Sequence, residues 1–92
     1  MTDITIFTSG SGGNFIQHKT TQMTSLVFAL TRVQPKIIYI DVDGTPEMKE
    51  MIKEKTGKFG VWPILFKGEK YIGTLDDCVD MNEGGELKPL LQ

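Results

Sequence analysis

Ninety-two residues, with ten Lys and Arg interspersed among twelve Asp and Glu for a net charge of −2, describe one small domain with one modest core. No basic stripe offers itself to a phosphate backbone and no polybasic tether to a membrane surface, so neither nucleic acid nor membrane is expected as a partner. A lone Cys forms no internal disulfide, no apolar run approaches the ~20 residues of a membrane span, and no charged-then-apolar leader opens the chain, which together predict a cytoplasmic protein.

Residues 4–9 begin with Ile4 and Ile6 in alternation, add Phe7 and stop at a cluster of Ser and Gly, which predicts a first strand. From Phe15 the apolar Ile16, Met23, Leu26, Val27 and Leu30 recur near helical spacing. Gln17, His18, Thr21, Gln22 and Ser25 fill the other side, until Pro35 forbids continuation. Residues 36–42 read Ile37-Ile38-Tyr39-Ile40 without alternation, the pattern of a strand covered on both sides, as central parallel strands are. A helix joining two such strands makes a right-handed crossover.

Punctuation is sharper in the second half. Thr45 suits an N-cap, Pro46 the first helical position, and Gly57 the helix end, with Met48, Met51 and Ile52 as a short apolar stripe between them. Residues 61–66 and 70–72 are apolar runs joined through Lys67-Gly68-Glu69, where Gly at the first turn position suits a type II′ hairpin and makes the strands antiparallel. After Gly73, Asp76 or Asp77 is expected to cap a third helix through Val79 and Met81. Gly84-Gly85 interrupts it, and Leu87, Leu90 and Leu91 close the core. The predicted order is βαβαββα.

Two motifs suggest chemistry that the remaining chain does not complete. Gly10-Ser11-Gly12-Gly13 with Asp41 downstream matches the start of a dinucleotide fingerprint, yet Phe15 stands at the third Gly position, Asp41 lies too far on, and a hairpin is foreign to a doubly wound sheet. Ile38-Tyr39-Ile40-Asp41-Val42-Asp43-Gly44-Thr45 resembles the first motif of the haloacid-dehalogenase phosphatases, where one Asp attacks phosphorus, the next handles the leaving-group proton, and both hold Mg²⁺. That family needs a long downstream core with further Ser or Thr, Lys and acidic motifs. The competing reading is a strand followed by an Asp-Gly turn and a Thr cap.

A third pattern spans nearly the whole chain. The strand and helix order, Trp62-Pro63 opening a strand, and Gly73-Thr74-Leu75-Asp76-Asp77 ten residues later resemble the glutaredoxins, a branch of the thioredoxin fold. The resemblance implies an α/β domain of glutaredoxin type over residues 1–92, with a four-stranded mixed sheet flanked by helices. It also implies a cis Trp62-Pro63 peptide whose backbone, with Pro63, forms one side of a glutathione groove. The amides of Leu75 and Asp76 and the Asp76 carboxylate would receive the γ-glutamyl end, and Gly12 would lie at the other side of the groove.

In Ser9-Gly10-Ser11-Gly12-Gly13-Asn14-Phe15 the two cysteines of a glutaredoxin Cys-x-x-Cys would fall on Gly12 and Phe15, and neither sulfur is present. Ser9-Gly10-Ser11-Gly12 followed by Ile16 and Lys19 bears a closer likeness to the SH3-domain-binding glutamic-acid-rich-like proteins, a small redox-dead branch of the fold. This implies a cytosolic protein-binding adaptor with no catalytic residue, no metal and no required cofactor, glutathione being the ligand its groove would take. The chain has no P-x-x-P, so SH3 recognition through a polyproline helix is not expected. The enzyme alternative is a glutathione-dependent reaction using Ser9 or Ser11 in place of sulfur, which would need a partner domain. Cys78 reads as a buried small residue rather than a reactive thiol, and His18, without Cys or carboxylate at metal spacing, as a surface histidine.

Overall fold

The computed structural model describes residues 4–10, 13–57 and 61–91. Strand β1 (Ile4–Thr8) alternates its side chains between two faces, sending Ile4 and Ile6 to one core and Phe7 to the other. Helix α1 (Gly13–Thr31) buries Thr20, Met23 and Val27 and ends at Arg32, whose left-handed φ of 61° lets its N–H reach the Phe28 carbonyl at 2.8 Å. The chain returns as β2 (Lys36–Tyr39), parallel to β1.

Two expectations for the second strand need correction. It stops at Tyr39 rather than Val42, because Ile40–Asp43 winds into a one-turn helix, α2, closed by the Gly44 N–H on the Ile40 carbonyl at 3.2 Å. It is also an edge strand, not a central one, since the sheet order is β2-β1-β3-β4. The unalternating run Ile37-Ile38-Tyr39-Ile40 has another cause: Ile37 packs on the α1 side, Ile38 on the opposite face, and Ile40 is buried from the turn.

Helix α3 (Pro46–Thr56) follows its sequence signals. The Thr45 side chain accepts the Met48 N–H, Pro46 stands in the first turn, and Gly57, at φ 73°, donates its N–H to the Lys53 carbonyl. Strands β3 (Ile64–Lys67) and β4 (Lys70–Thr74) form an antiparallel hairpin about Gly68 and Glu69. Gly68 has φ 61° and Glu69 is not among the positive-φ residues, as a type II′ turn requires. The third strand begins at Ile64, not Val61, so Trp62-Pro63 precedes it. The fourth runs on to Thr74, with a bulge opposite Leu65 and Phe66.

Helix α4 (Leu75–Glu83) therefore starts directly from β4, and its cap is Thr74 rather than Asp76 or Asp77. It ends in a Schellman motif, with the Glu86 N–H on the Met81 carbonyl at 2.8 Å, the Gly85 N–H on that of Asn82, and Gly85 at φ 75°. Helix α5 (Leu87–Leu91) then buries Leu87 and Leu91.

The result has three layers. Ile4, Ile6, Met23, Val27, Leu65, Leu75, Cys78, Leu87 and Leu91 fill the space between the sheet and α1, α4 and α5. Phe7, Ile38, Ile40, Ile52, Ile64 and Phe66 fill the opposite side beneath α3, with Phe7 and Phe66 meeting edge to face at 5.3 Å between ring centroids. One polar pair is buried at the upper end of the first core. The Thr20 hydroxyl donates to the Ile16 carbonyl at 2.8 Å, so the hydrogen in its 2.8 Å contact with the Thr8 hydroxyl comes from Thr8.

Candidate functional site at one end of the sheet

Strand pairing decides which loops meet. Thr8 lies opposite Tyr39, Phe7 opposite Ile64, and Ile64 opposite Thr74. The segment leaving β1, the α2 turn, Trp62-Pro63 and the start of α4 therefore all lie at the same end of the sheet. Of the residues expected there from sequence, the structure brings Trp62, Pro63, Leu75 and Asp76 to this end, while Gly12 lies outside the described residues. Trp62 is half-buried against the Phe7 and Phe66 core, Pro63 is fully buried, and the peptide between them is cis.

The first turn of α4 divides its donors. Thr74 Oγ1 accepts the Asp77 N–H at 3.3 Å and Asp77 Oδ2 accepts the Thr74 N–H at 3.1 Å, a reciprocal capping box. This commits Asp77 to the cap and leaves the Leu75 and Asp76 N–H groups without an acceptor among the described residues. The Asp76 side chain is exposed beside them. Two such amides at a helix N-terminus, next to a carboxylate, suit a ligand carrying both an anionic and a cationic group.

The sequence holds no cysteine from Ser9 to Phe15, the segment onto which the glutaredoxin resemblance would place the redox pair. Phe15, at the position of the second cysteine, is 70% exposed, with Lys19 Nζ 4.5 Å from its ring centroid. Cys78 sits in α4 with its side chain wholly buried in the first core. Burial, helped by the negative charge of Asp77, pushes its thiol up to about 12, against the direction in which a helix N-terminus would move it. Tyr71, half-buried against the other core, has its hydroxyl raised by its own burial first and then by Asp77 and Cys78.

The Asp41-Val42-Asp43-Gly44-Thr45 motif has a structural explanation. Asp41 Oδ1 accepts the Gly10 N–H at 2.9 Å and so ties the end of β1 to α2, Thr45 caps α3, and a Cβ on Gly44 would collide with the Ile40 carbonyl. Among the described residues no group of three or more His, Cys, Asp and Glu is placed to hold a metal.

Sequence reasoning missed two grooves along α1. One, of about 360 Å³, runs between α1 and β2, where Ser9, Gln17, Thr21 and Thr24 face Ile37 and Tyr39. The other, of the same volume, separates α1 from α4 and includes His18 in its rim. The signal was present in the sequence as an uncharged series of Gln, Thr and Ser at helical spacing, read there only as a solvated face.

Solved glutaredoxins resemble the chain along nearly its whole length. Wheat glutaredoxin aligns over 97% of this chain and 77% of its own, at a TM-score of 0.64 and 30% identity. A buckwheat glutaredoxin–glutathione complex aligns over 98% and 76%, at 0.70 and 24%. The chain is a glutaredoxin-like domain of the thioredoxin fold. C. albicans actin interacting protein Aip5 shares this fold with it over 98% of the domain and 88% of its own chain, at a TM-score of 0.80 and 22% identity. In sequence, the glutaredoxin-like domain is 40% identical over 58 residues to an uncharacterized monothiol glutaredoxin of Caenorhabditis elegans. That match takes in 62% of the domain and 39% of the relative, so the chain spans about two fifths of the curated relative's length. No protein-family model matches the chain.

Proposed function

We propose that this glutaredoxin-like domain works by binding rather than by thiol chemistry, as a small cytoplasmic protein-binding adaptor that keeps a glutathione-type site at one end of its sheet. The observation that carries the reading is the pairing of two features. The segment from Ser9 to Phe15 contains no cysteine, and the sole thiol is buried in α4 and pushed up to about 12. Exchange needs a thiolate that reaches sulfur, and Cys78 meets neither condition. The Leu75 and Asp76 amides, without an acceptor among the described residues and at the same end of the sheet as Trp62-Pro63, support retention of the ligand end, with Asp76 accepting from an ammonium group. The likeness of Ser9-Gly10-Ser11-Gly12, Ile16 and Lys19 to the SH3-domain-binding glutamic-acid-rich-like proteins supports the adaptor role. The shared fold of a protein named for interacting with actin adds to that support.

Titration of the ¹⁵N-labelled chain with reduced glutathione tests the site. Amide shifts are expected at Trp62, Leu75 and Asp76, with Asp76→Ala weakening binding by roughly 1–3 kcal/mol through loss of a charged acceptor. The same protein is expected to leave glutathione mixed disulfides intact. Turnover that disappears in Cys78→Ser would overturn the reading and make Cys78 the reactive group.

A further inference from the structure

Helices α1 and α4 lie side by side with a furrow of about 360 Å³ between them. Its apolar part is formed by half-buried Leu26 from α1 and by Leu75 and Val79, one turn apart, from α4. Val79, which lines the furrow, is 42% exposed, a large apolar side chain left to solvent. On the α1 side the furrow is lined by His18, Thr21, Gln22 and Ser25, of which Thr21 and Ser25 are short and let another backbone come close.

The two walls differ in charge. Helix α1 contains no acidic residue, whereas α4 contains no basic one and four acids. Asp77 is taken by the capping box, but Asp76 and Glu83 flank Val79 at helical spacing and Asp80 follows it. These three are exposed and make no ion pair among the described residues.

We propose that this furrow is a docking site for a basic amphipathic helix of a partner protein, its apolar stripe against Leu26, Leu75 and Val79 and its Lys or Arg residues against Asp80 and Glu83. This rests on the protein-binding reading above and names the partner's chemistry. A furrow between two adjacent helices fits a third by ridge-into-groove packing, and an apolar stripe with flanking cations matches the floor and the acidic wall. The same acids argue against the other occupants. A second copy would bring acidic wall to acidic wall, and an anionic bilayer would be repelled.

The test uses the intact ¹⁵N-labelled chain and a designed peptide of roughly 18 residues with a Leu stripe flanked by Lys, beside a counterpart with Glu for every Lys. The Lys peptide is expected to shift Ser25, Leu26, Val79 and Glu83 amides and to bind more weakly as salt rises. Asp80→Lys with Glu83→Lys should weaken it about five- to tenfold, and Val79→Asp by at least as much. Both variants change exposed positions, so the fold is expected to survive, which circular dichroism checks. Equal binding of the Glu peptide, shifts confined to other surfaces, no shifts at millimolar peptide, or undiminished binding by the double variant would each overturn the proposal. Reduced glutathione added to the same sample separates the two readings, because its shifts belong at Trp62 and the first α4 amides. Loss of one response with the other intact identifies which reading has failed.

Discussion

At the scale of single residues, Cys78 has the clearest consequence, because burial holds its thiol neutral. Below about pH 9 the folded and unfolded chains both keep that proton, and the thiol adds no pH dependence. Above it the unfolded thiol ionises first, while the folded one waits until about 12, so the unfolded state binds fewer protons and stability falls as pH rises. The slope should be about 1.4 kcal/mol per pH unit across that window, with Tyr71 adding to it in the same direction once its unfolded form ionises near 10. Cys78→Ala is expected to remove the cysteine part of the alkaline slope and leave most of that of Tyr71, whose larger causes are its own burial and Asp77, read from urea unfolding at a series of pH values. Alkylation by iodoacetamide should follow unfolding rather than thiol exposure in the native chain, and rapid labelling of the folded protein would contradict this.

At the scale of elements, the junction between β4 and α4 shows how closely strand and helix are fitted. A Cβ on Gly73 would lie 2.7 Å from the Asp77 Cβ, so Gly73→Ala must push away the residue that completes the capping box. A loss of about 1–3 kcal/mol is expected from the strain and the broken box together. Gly84 is the control: its φ of −84° is ordinary and a Cβ there meets nothing nearer than 3.7 Å, so Gly84→Ala should be neutral or stabilising by up to about 1 kcal/mol. Paired chemical denaturation curves compare them directly. The same junction marks a limit of local reading. Thr45, Pro46 and Gly57 were legible because every signal for α3 lies inside its own segment. Thr74 was not, because Asp76-Asp77 look as good a cap as any, and what excludes them is β4 pairing as far as Thr74 opposite Ile64. The end of β2 was hidden for a like reason: Asp41 accepts its hydrogen bond from Gly10, 31 residues earlier in the chain.

At the scale of the whole molecule, topology matters more than any one loop. Antiparallel β3 and β4 bring Trp62-Pro63 and the first turn of α4 to the end of the sheet where parallel β1 finishes, so residues from distant parts of the sequence form one surface. The sequence carried enough to place Trp62, Pro63, Leu75 and Asp76 there, because their order matches a known arrangement. It did not reveal the furrow between α1 and α4, which exists only once two helices distant in sequence pack together. On the binding reading proposed above, supplying a thiol at this surface should confer thiol chemistry. Gly12 is the position that the glutaredoxin likeness assigns to the attacking cysteine, just ahead of a 19-residue helix with no acidic residue in its first turn. On that likeness a thiol there would gain from the positive end of the helix, which favours the thiolate. Gly12→Cys is therefore expected to acquire glutathione-dependent reduction of a mixed disulfide, measurable by coupled NADPH consumption, while the parent and Gly12→Ser stay at background. Adding Asp76→Ala should then weaken the response to glutathione, since the tripeptide must be held before its sulfur can react. A folded Gly12→Cys that remains inert at millimolar glutathione would mean that the α4 amides and Trp62-Pro63 no longer act together as a glutathione site, and the domain's role would rest on its helical surfaces.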